Sequence, residues 1–420
     1  MEQAVELREK RSFKEVWMIT IGHGLTHWYP ATFYMLLPII GKELGLTFTQ
    51  IGFIISFQYI ASSISNIPGG MLVDMVGRKS LLMATSLFWV GFPYLLMSLT
   101  HSYWMLLLCV ALVGIGNNLW HPTAIPTLSQ RFPERKGFVL SIHGLGANLG
   151  DALAPLAMGT LLAILDWRQV VAFNIVPGLL MALIILFFLR NLYVTSKKKK
   201  TDADAQSGNE EKLTFKEYFS GVAGLFKNPS LILISTSSGF RSMTQNVLYT
   251  FLPLYLAYEM LFNEFWVGFS LFVLQAAGMI AAPISGILSD KIGRKTIIMG
   301  SMFMTAVVFL MMAIANGSKL FVVFIGILGF FLYAIRPVMQ AWLMETTPKK
   351  MAGTSIGFLF GVQSMFSALA PVAAGLIADR FGLYSTFYFV AITIVLANVL
   401  IFFMPNTVKE GASPSAGMKA

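Results

Sequence analysis

The chain has 420 residues, 56% hydrophobic and only 12% charged, with a mean hydropathy of +0.70. Soluble domains carry roughly 25% charged residues, so this chain lacks the side chains to solvate its own exterior and needs lipid around it. The net charge of +10 does not point to a nucleic-acid partner, because the Lys and Arg residues lie in short stretches between apolar runs and form no basic stripe.

Crossing a hydrocarbon core of about 30 Å takes about 20 helical residues. Runs of that size fall at roughly 16–40, 49–73, 80–99, 103–130, 137–164 and 169–190, then at 229–258, 265–289, 296–315, 319–346, 352–378 and 383–404. The first run is too long for a signal peptide and no small-residue cleavage pattern follows it, so it reads as a spanning helix. The pattern predicts an all-α membrane protein of twelve transmembrane helices in two six-helix bundles, residues 1–190 and 229–420, joined by a polar linker at 191–228. Within the linker, Lys197 to Lys200 precede an acidic stretch, and Phe215–Phe226 reads equally as an interfacial amphipathic helix or a loop. Counting Lys and Arg loop by loop puts 24 on the side of the termini and linker and four on the other, with Arg241 and Arg336 inside runs. That bias predicts cytoplasmic termini in a plasma membrane, the bacterial inner membrane in particular. Cys109, the only cysteine, reads as a small packing residue. Trp17, Trp28, Trp104 and Trp266 read mostly as interface anchors.

Charge inside a spanning helix is costly and by default marks function. The first run holds His23 and His27, four apart and so on one face, and the fourth holds Asn117 and His121 at the same spacing. The fifth holds His143 and Asp151; the seventh holds Arg241, Gln245 and Tyr249 with Asn246 beside them; the tenth holds Arg336. Guanidiniums keep their charge and suit an anionic substrate, while imidazoles and a carboxylate can exchange protons. Plainer readings stand beside these. His143 reads more simply as a packing residue, and Arg241 could neutralise Asp151 or Glu259. His23, His27, His121 and Asp151 could also ligate a transition metal. The pattern Gly146-x-x-x-Gly150 reads as close helix packing, not phosphate binding.

The chain repeats itself. GMLVDMVGRK at 70–79 returns as GILSDKIGRK at 286–295, and the offset of 216 also aligns Gly52 with Gly268, Gly137 with Gly353, Ala154-Pro155 with Ala370-Pro371 and Gly159 with Gly375. An offset of 215 aligns His121-Pro122 with Arg336-Pro337. Two equivalent bundles related by an axis along the membrane normal follow, with a substrate site expected between them near the midplane.

The G-x-L-x-D-x-x-G-R-K decapeptide and its echo resemble the signature of the major facilitator superfamily, and the likeness spans the whole chain. Within it, His23 with Pro38, the stretch from Gly114 to His121-Pro122, and GANLGDALAP resemble the fosmidomycin-resistance type of efflux carrier. The chain departs from that pattern at three polar positions: His27 stands where an acid is expected, Thr123 where an acid is common, and Asp151 where a small residue is usual. The resemblance implies that helices 1, 4, 7 and 10 line a central cavity, flanked by 5 and 11. It implies a secondary carrier working by alternating access, proton-coupled, exporting a small anionic or drug-like compound as a monomer. Uptake of an organic anion or metabolite, and transition-metal transport through the histidines, are the alternatives. No enzymatic activity, resident metal or other cofactor is expected; the partners are a small-molecule substrate, protons and lipid. No nucleotide-binding loop is present to drive pumping by ATP. The signature loops read as a conformational latch: Gly70, Gly77, Gly286 and Gly293 for close approach and tight turns, Asp74 and Asp290 for the N-terminus of a helix in the opposite bundle, and Arg78 and Arg294 paired with Glu134 and Glu345. A solvated loop is the plainer reading.

Overall fold

A backbone surrounded by lipid can satisfy its hydrogen bonds only internally, and helices do so within one segment. The computed structural model describes residues 13–76, 78–190, 228–314, 320–347 and 352–405. Among these, twelve helical rods follow the twelve apolar runs: α1 (Phe13–Glu43), α2 (Phe48–Met75), α3 (Lys79–Met97), α4 (Tyr103–Arg131), α5 (Lys136–Leu162), α6 (Trp167–Phe188), α7 (Pro229–Tyr258), α8 (Glu264–Ile292), α9 (Arg294–Ile314), α10 (Leu320–Thr346), α11 (Ala352–Phe381) and α12 (Ser385–Phe402). The N-terminal stretch, the Lys197–Lys200 run and Phe215–Phe226 lie outside the described residues.

Local chemistry sets the ends. Thr47 and Gln50 form a capping box at the start of α2, Asp166 and Gln169 form another at α6, and Asn228 caps α7 with Pro229 in its first turn. Gly293 closes α8 at φ +97, a conformation that favours glycine. One feature departs from the run pattern: α4 is broken into Tyr103–Asn117 and Trp120–Arg131. Pro122 has no N–H for the Asn118 carbonyl, and the chain tightens there, with Asn118 N on Ile115 O (3.3 Å) and Leu119 N on Gly116 O (3.4 Å). The side chain of Asn118 ties the break to α2, donating to Ser65 Oγ (2.6 Å) and accepting from Ser62 Oγ (3.0 Å).

Eight rods are long and apolar enough to cross a membrane on composition alone. The other four, α1, α2, α5 and α7, are 31, 28, 27 and 30 residues long and carry polar side chains into the centre of the bundle. Their lower hydropathy is thus a consequence of what they face.

The packing repeats with the sequence. In the first half α1 lies on α5, α2 on α4, and α3 on α4 and α6; in the second α7 lies on α11, α8 on α10, and α9 on α10 and α12. The halves meet along two equivalent seams, α2 with α11 and α5 with α8. For brevity, the face where α1 begins is the terminus face and its opposite the distal face. Near the distal face the seams are backbone against glycine. A Cβ at Gly52 would lie 2.1 Å from Pro371 O, and one at Gly268 would lie 2.3 Å from Pro155 O. Gly375 meets Phe48 O and Gly159 meets Glu264 O, each at 2.5 Å from a built Cβ. Nearer the terminus face, Gly137 and Gly144 on α5 and Gly357 and Gly361 on α11 have nothing within 4 Å. The halves are closed on the distal side and splayed on the other. Consistent with this, one apolar cluster runs through both halves from Tyr29 to Met404, whereas a second, around Trp120, belongs to the first half alone.

Hydrogen bonds reinforce the distal closure. Asp379 near the end of α11 accepts from Phe48 N (2.7 Å), Thr49 N (2.9 Å) and Thr49 Oγ1 (2.5 Å), so a carboxylate from one half sits on the helix N-terminus of the other. Tyr258 donates to the Pro38 carbonyl across the same side. Among the expected interface anchors, Trp17 and Trp104 are 50% and 76% exposed, while Trp28 points inward and donates to Asn174 Oδ1. Its indole needs that partner because it lies mid-helix. Cys109 is buried in packing.

Candidate substrate cavity and histidine cluster

Between the halves lies a cavity of about 420 Å³. The first half contributes His27 and Tyr34 from α1, Gln58, Tyr59 and Ser62 from α2, Asn117 from α4 and Asp151 from α5. The second contributes Arg241, Gln245, Asn246 and Tyr249 from α7, Gln275 from α8, Arg336 from α10, and Gln363, Ser364 and Ser367 from α11. Tyr34 stacks on Tyr249 across the halves (centroids 5.4 Å apart) and roofs the cavity on the distal side. Tyr59 donates to Asn246 Oδ1 (2.5 Å), and Asn246 donates in turn to Ser367 Oγ (2.7 Å) and Ser242 O (3.0 Å). Asn246 is therefore committed to holding the seam, with little left for a ligand.

The cavity is electrostatically lopsided. Its second-half wall holds two guanidiniums. Arg241, 2% exposed, donates through Nη2 to Leu332 O (3.2 Å) and leaves Nε without a partner. Its bond to a carbonyl, and not to Asp151 or Glu259, removes the neutralising role entertained above. Arg336 is exposed toward the cavity and forms no ion pair among the described residues. The first-half wall holds Asp151, the one acid among the residues lining the cavity, in contact with His27 Nδ1 at 3.1 Å. An uncompensated pair of cations facing a single carboxylate can hold an anion.

The remaining histidines are not in the wall. The α5 pattern Gly146-x-x-x-Gly150 lets α1 come so close that a Cβ at Gly150 would lie 2.0 Å from Gly24 O and one at Gly146 2.2 Å from Thr20 O. That approach lays the His23 ring flat on His143, with centroids 3.9 Å apart and planes 9° apart, and His23 Nδ1 meets His143 O at 2.7 Å. His121 stands edge-on to His23 at 4.9 Å. The set that converges is thus His23, His121 and His143, whereas His27 turns toward Asp151. The metal set considered from spacing alone, with His27 and Asp151 in it, is corrected to that extent, because helical spacing cannot tell which ring a neighbouring helix will meet. Asn117 lines the cavity with its Oδ1 buried and unpartnered.

Of the signature loops, the second is described in full. Arg294 contacts Asp290 (2.5 Å), Glu345 (2.8 Å) and Ser289 Oγ (2.5 Å). Asp290 meets an arginine of its own half, and Gly286 has open space where close packing was expected. The open space at Gly286 follows from the splay at the terminus face. Gly77, and Gly70 and Asp74 beyond their place in α2, lie outside the described residues. Beside the first loop, Arg131 forks onto Glu15 through two bonds of 2.7 Å.

Tyr34, Gln58, Tyr59, Gln275 and Gln363 were not among the expected residues, since amides and tyrosines were singled out only on runs that also carry a histidine or arginine at helical spacing from them. Amides and tyrosines inside the apolar runs were the available signal. Asp379 was not among the expected residues; the capping box of Thr47 and Gln50 marks the helix N-terminus it serves.

Comparison with known proteins agrees with this geometry. The family model described as the Major Facilitator Superfamily matches residues 17–286 and 234–419. The chain is similar to the fosmidomycin resistance protein of Escherichia coli, 25% identical with 96% of each chain covered. It is likewise similar to the multidrug resistance protein MdtG of Citrobacter koseri, 26% identical over 95% of this chain and 94% of the other. Among solved structures, a bacterial homolog of the human lysosomal transporter Spinster superposes with a TM-score of 0.81 at 15% identity, covering 94% of this chain and 97% of that one; this likeness concerns the fold.

Proposed function

The chain belongs to the major facilitator superfamily and is an integral membrane transporter, not an enzyme, and we propose that it is a proton-coupled exporter of a small organic anion or anionic drug-like compound. The observation that carries this reading is the pairing of Arg241 and Arg336 on one wall of the central cavity with no acid beside them. Tyrosines and glutamines around them suit the uncharged remainder of an organic cargo. Asp151, opposite, is the group we assign to carry the coupling proton. Efflux as the direction draws on the names of the relatives, a drug-resistance protein and a multidrug-resistance protein. We place the termini and the residue 191–228 linker in the cytoplasm on the charge bias between loops, which makes the splayed side the cytoplasmic one. The protein acts as a monomer of two bundles, residues 1–190 and 229–420, and the Arg294 network, held within the second half while the distal side is shut, belongs to the latch that holds the cytoplasmic side closed in the opposite state and breaks on turnover.

The test is transport in proteoliposomes holding the full chain, with an imposed pH gradient and a panel of carboxylates, sulfonates, organic phosphates and fosmidomycin. Gradient-driven movement of an anion, lost in Arg336→Ala, is the expected result. Movement of cations or neutral solutes only, or anion movement indifferent to the gradient, would overturn the reading.

A further inference from the structure

His23, His121 and His143 come from three helices and meet at one point, with candidate ligand nitrogens all within 4.8 Å of one another. Two of the three rings, His23 and His143, are only 4% and 3% exposed. Their nitrogens pose a problem of satisfaction. The His143 carbonyl can only accept, so His23 Nδ1 must carry the hydrogen of their 2.7 Å contact. His23 Nε2 is then a bare lone pair, buried and without a donor. Both ring nitrogens of His143 are buried and unpartnered too. Buried polar atoms left unmatched are rare, and a group of them on converging rings makes a place able to take a ligand. An imidazole whose Nδ1–H is held by a carbonyl while Nε2 stays free has the tautomer of a metal ligand.

From this convergence we infer that His23, His121 and His143 form a binding site for a divalent transition-metal ion. Three imidazoles with neither a thiolate nor a carboxylate among them select borderline ions of the zinc, cobalt, nickel and copper class over magnesium or calcium. A tetrahedral ion with bonds of about 2.0–2.1 Å holds its nitrogens about 3.4 Å apart, so the widest nitrogen separation shortens by up to about 1.4 Å on loading and the parallel His23 and His143 rings tilt toward the ion. The fourth position is left to water or to His27, whose ring lies 4.9 Å from His23. The ion need not pass through the substrate cavity, because His121 also borders a separate hollow with Asn118, Pro122, Ile125 and Pro126. The break in α4 is what turns His121 between that hollow and His23. This inference does not rest on the proposed cargo, and it is read by binding without transport.

The experiment titrates cobalt(II) into the full-length protein, purified in detergent without a polyhistidine tag, and follows the visible absorption of four-coordinate cobalt. One ion per chain is expected, displaced by zinc and indifferent to magnesium. His143→Ala and His121→Ala should each weaken binding at least tenfold, while His101→Gln, away from the cluster, should leave it unchanged. His121→Cys, which restores a ligand, should bind again and add a thiolate-to-cobalt charge-transfer band, so that a merely misfolded alanine variant is told apart from a lost ligand. Absence of the cobalt spectrum in the intact protein, binding that survives both alanine substitutions, or a His121→Cys protein that binds without the new band would overturn the site.

Discussion

The two halves share a packing plan and differ in what they carry at its centre. The first half holds four imidazoles and a carboxylate; the second holds two guanidiniums, and the repeat that puts His121-Pro122 over Arg336-Pro337 makes one exchange explicit. At the seams the opposite is true. Gly52 on Pro371 has its counterpart in Gly268 on Pro155, and Gly375 on Phe48 has its counterpart in Gly159 on Glu264. What the halves keep in common is the seam where they meet. What differs between them is the lining of the cavity.

The largest test of that division lies in the cavity. Arg241→Ala and Arg336→Ala are each expected to lower anion transport by roughly 10–100-fold, the worth of one lost charge-assisted contact. Lysine at either place should recover part of it, measured as uptake into proteoliposomes. If the anion is carried as well without either arginine, the asymmetry has another meaning. The seams come next. Gly52→Leu and Gly268→Leu should hinder distal closure to a similar degree, since each would drive a side chain into a facing carbonyl. With Cys109 replaced by alanine and Ser364 by cysteine, an impermeant maleimide added from the distal side should label the cavity several-fold faster in both variants. A response from only one of the two glycines would break the symmetry argument.

How much of this could be read beforehand depends on the range of the signal. The helices, the repeat and the small residues at the seams are local or periodic features, and Gly52, Gly268, Pro155 and Pro371 stand in the alignment of the two halves by themselves. The contacts of the site are not local. His23 and His143 stand 120 positions apart, and their stacking depends on how closely α5 lets α1 approach, a property of Gly146 and Gly150 and of neither histidine. The same holds for Asp379 and Phe48, 331 positions apart. The break at Asn118 was legible in principle from Pro122, but a hydropathy window runs through it.

Two smaller effects sharpen the comparison further. Asp151→Asn should leave exchange of labelled cargo across an equilibrated membrane within about threefold of the parent, while abolishing its acceleration by a pH gradient. Loss of exchange as well would make Asp151 part of the cargo site. Asp379→Asn keeps one acceptor for the α2 amides but removes the charge, an effect comparable with the loss of a helix cap or dipole partner, about 0.5–1 kcal/mol. A twofold to fivefold rise in distal labelling is expected, the least of the four.

The bond from Tyr59 to Asn246 has its own consequence. It joins the halves at the depth of the cavity, whereas Asp379 and Tyr258 join them near the distal face. Two bodies that rock against each other separate most at their rims and least near the fulcrum, so a tilt that parts the distal contacts by several ångströms displaces a mid-depth contact far less. In such a rocking motion Tyr59, Asn246 and Ser367 would stay linked and serve as its bearing, and a weakness there would slow travel in both directions without favouring either end.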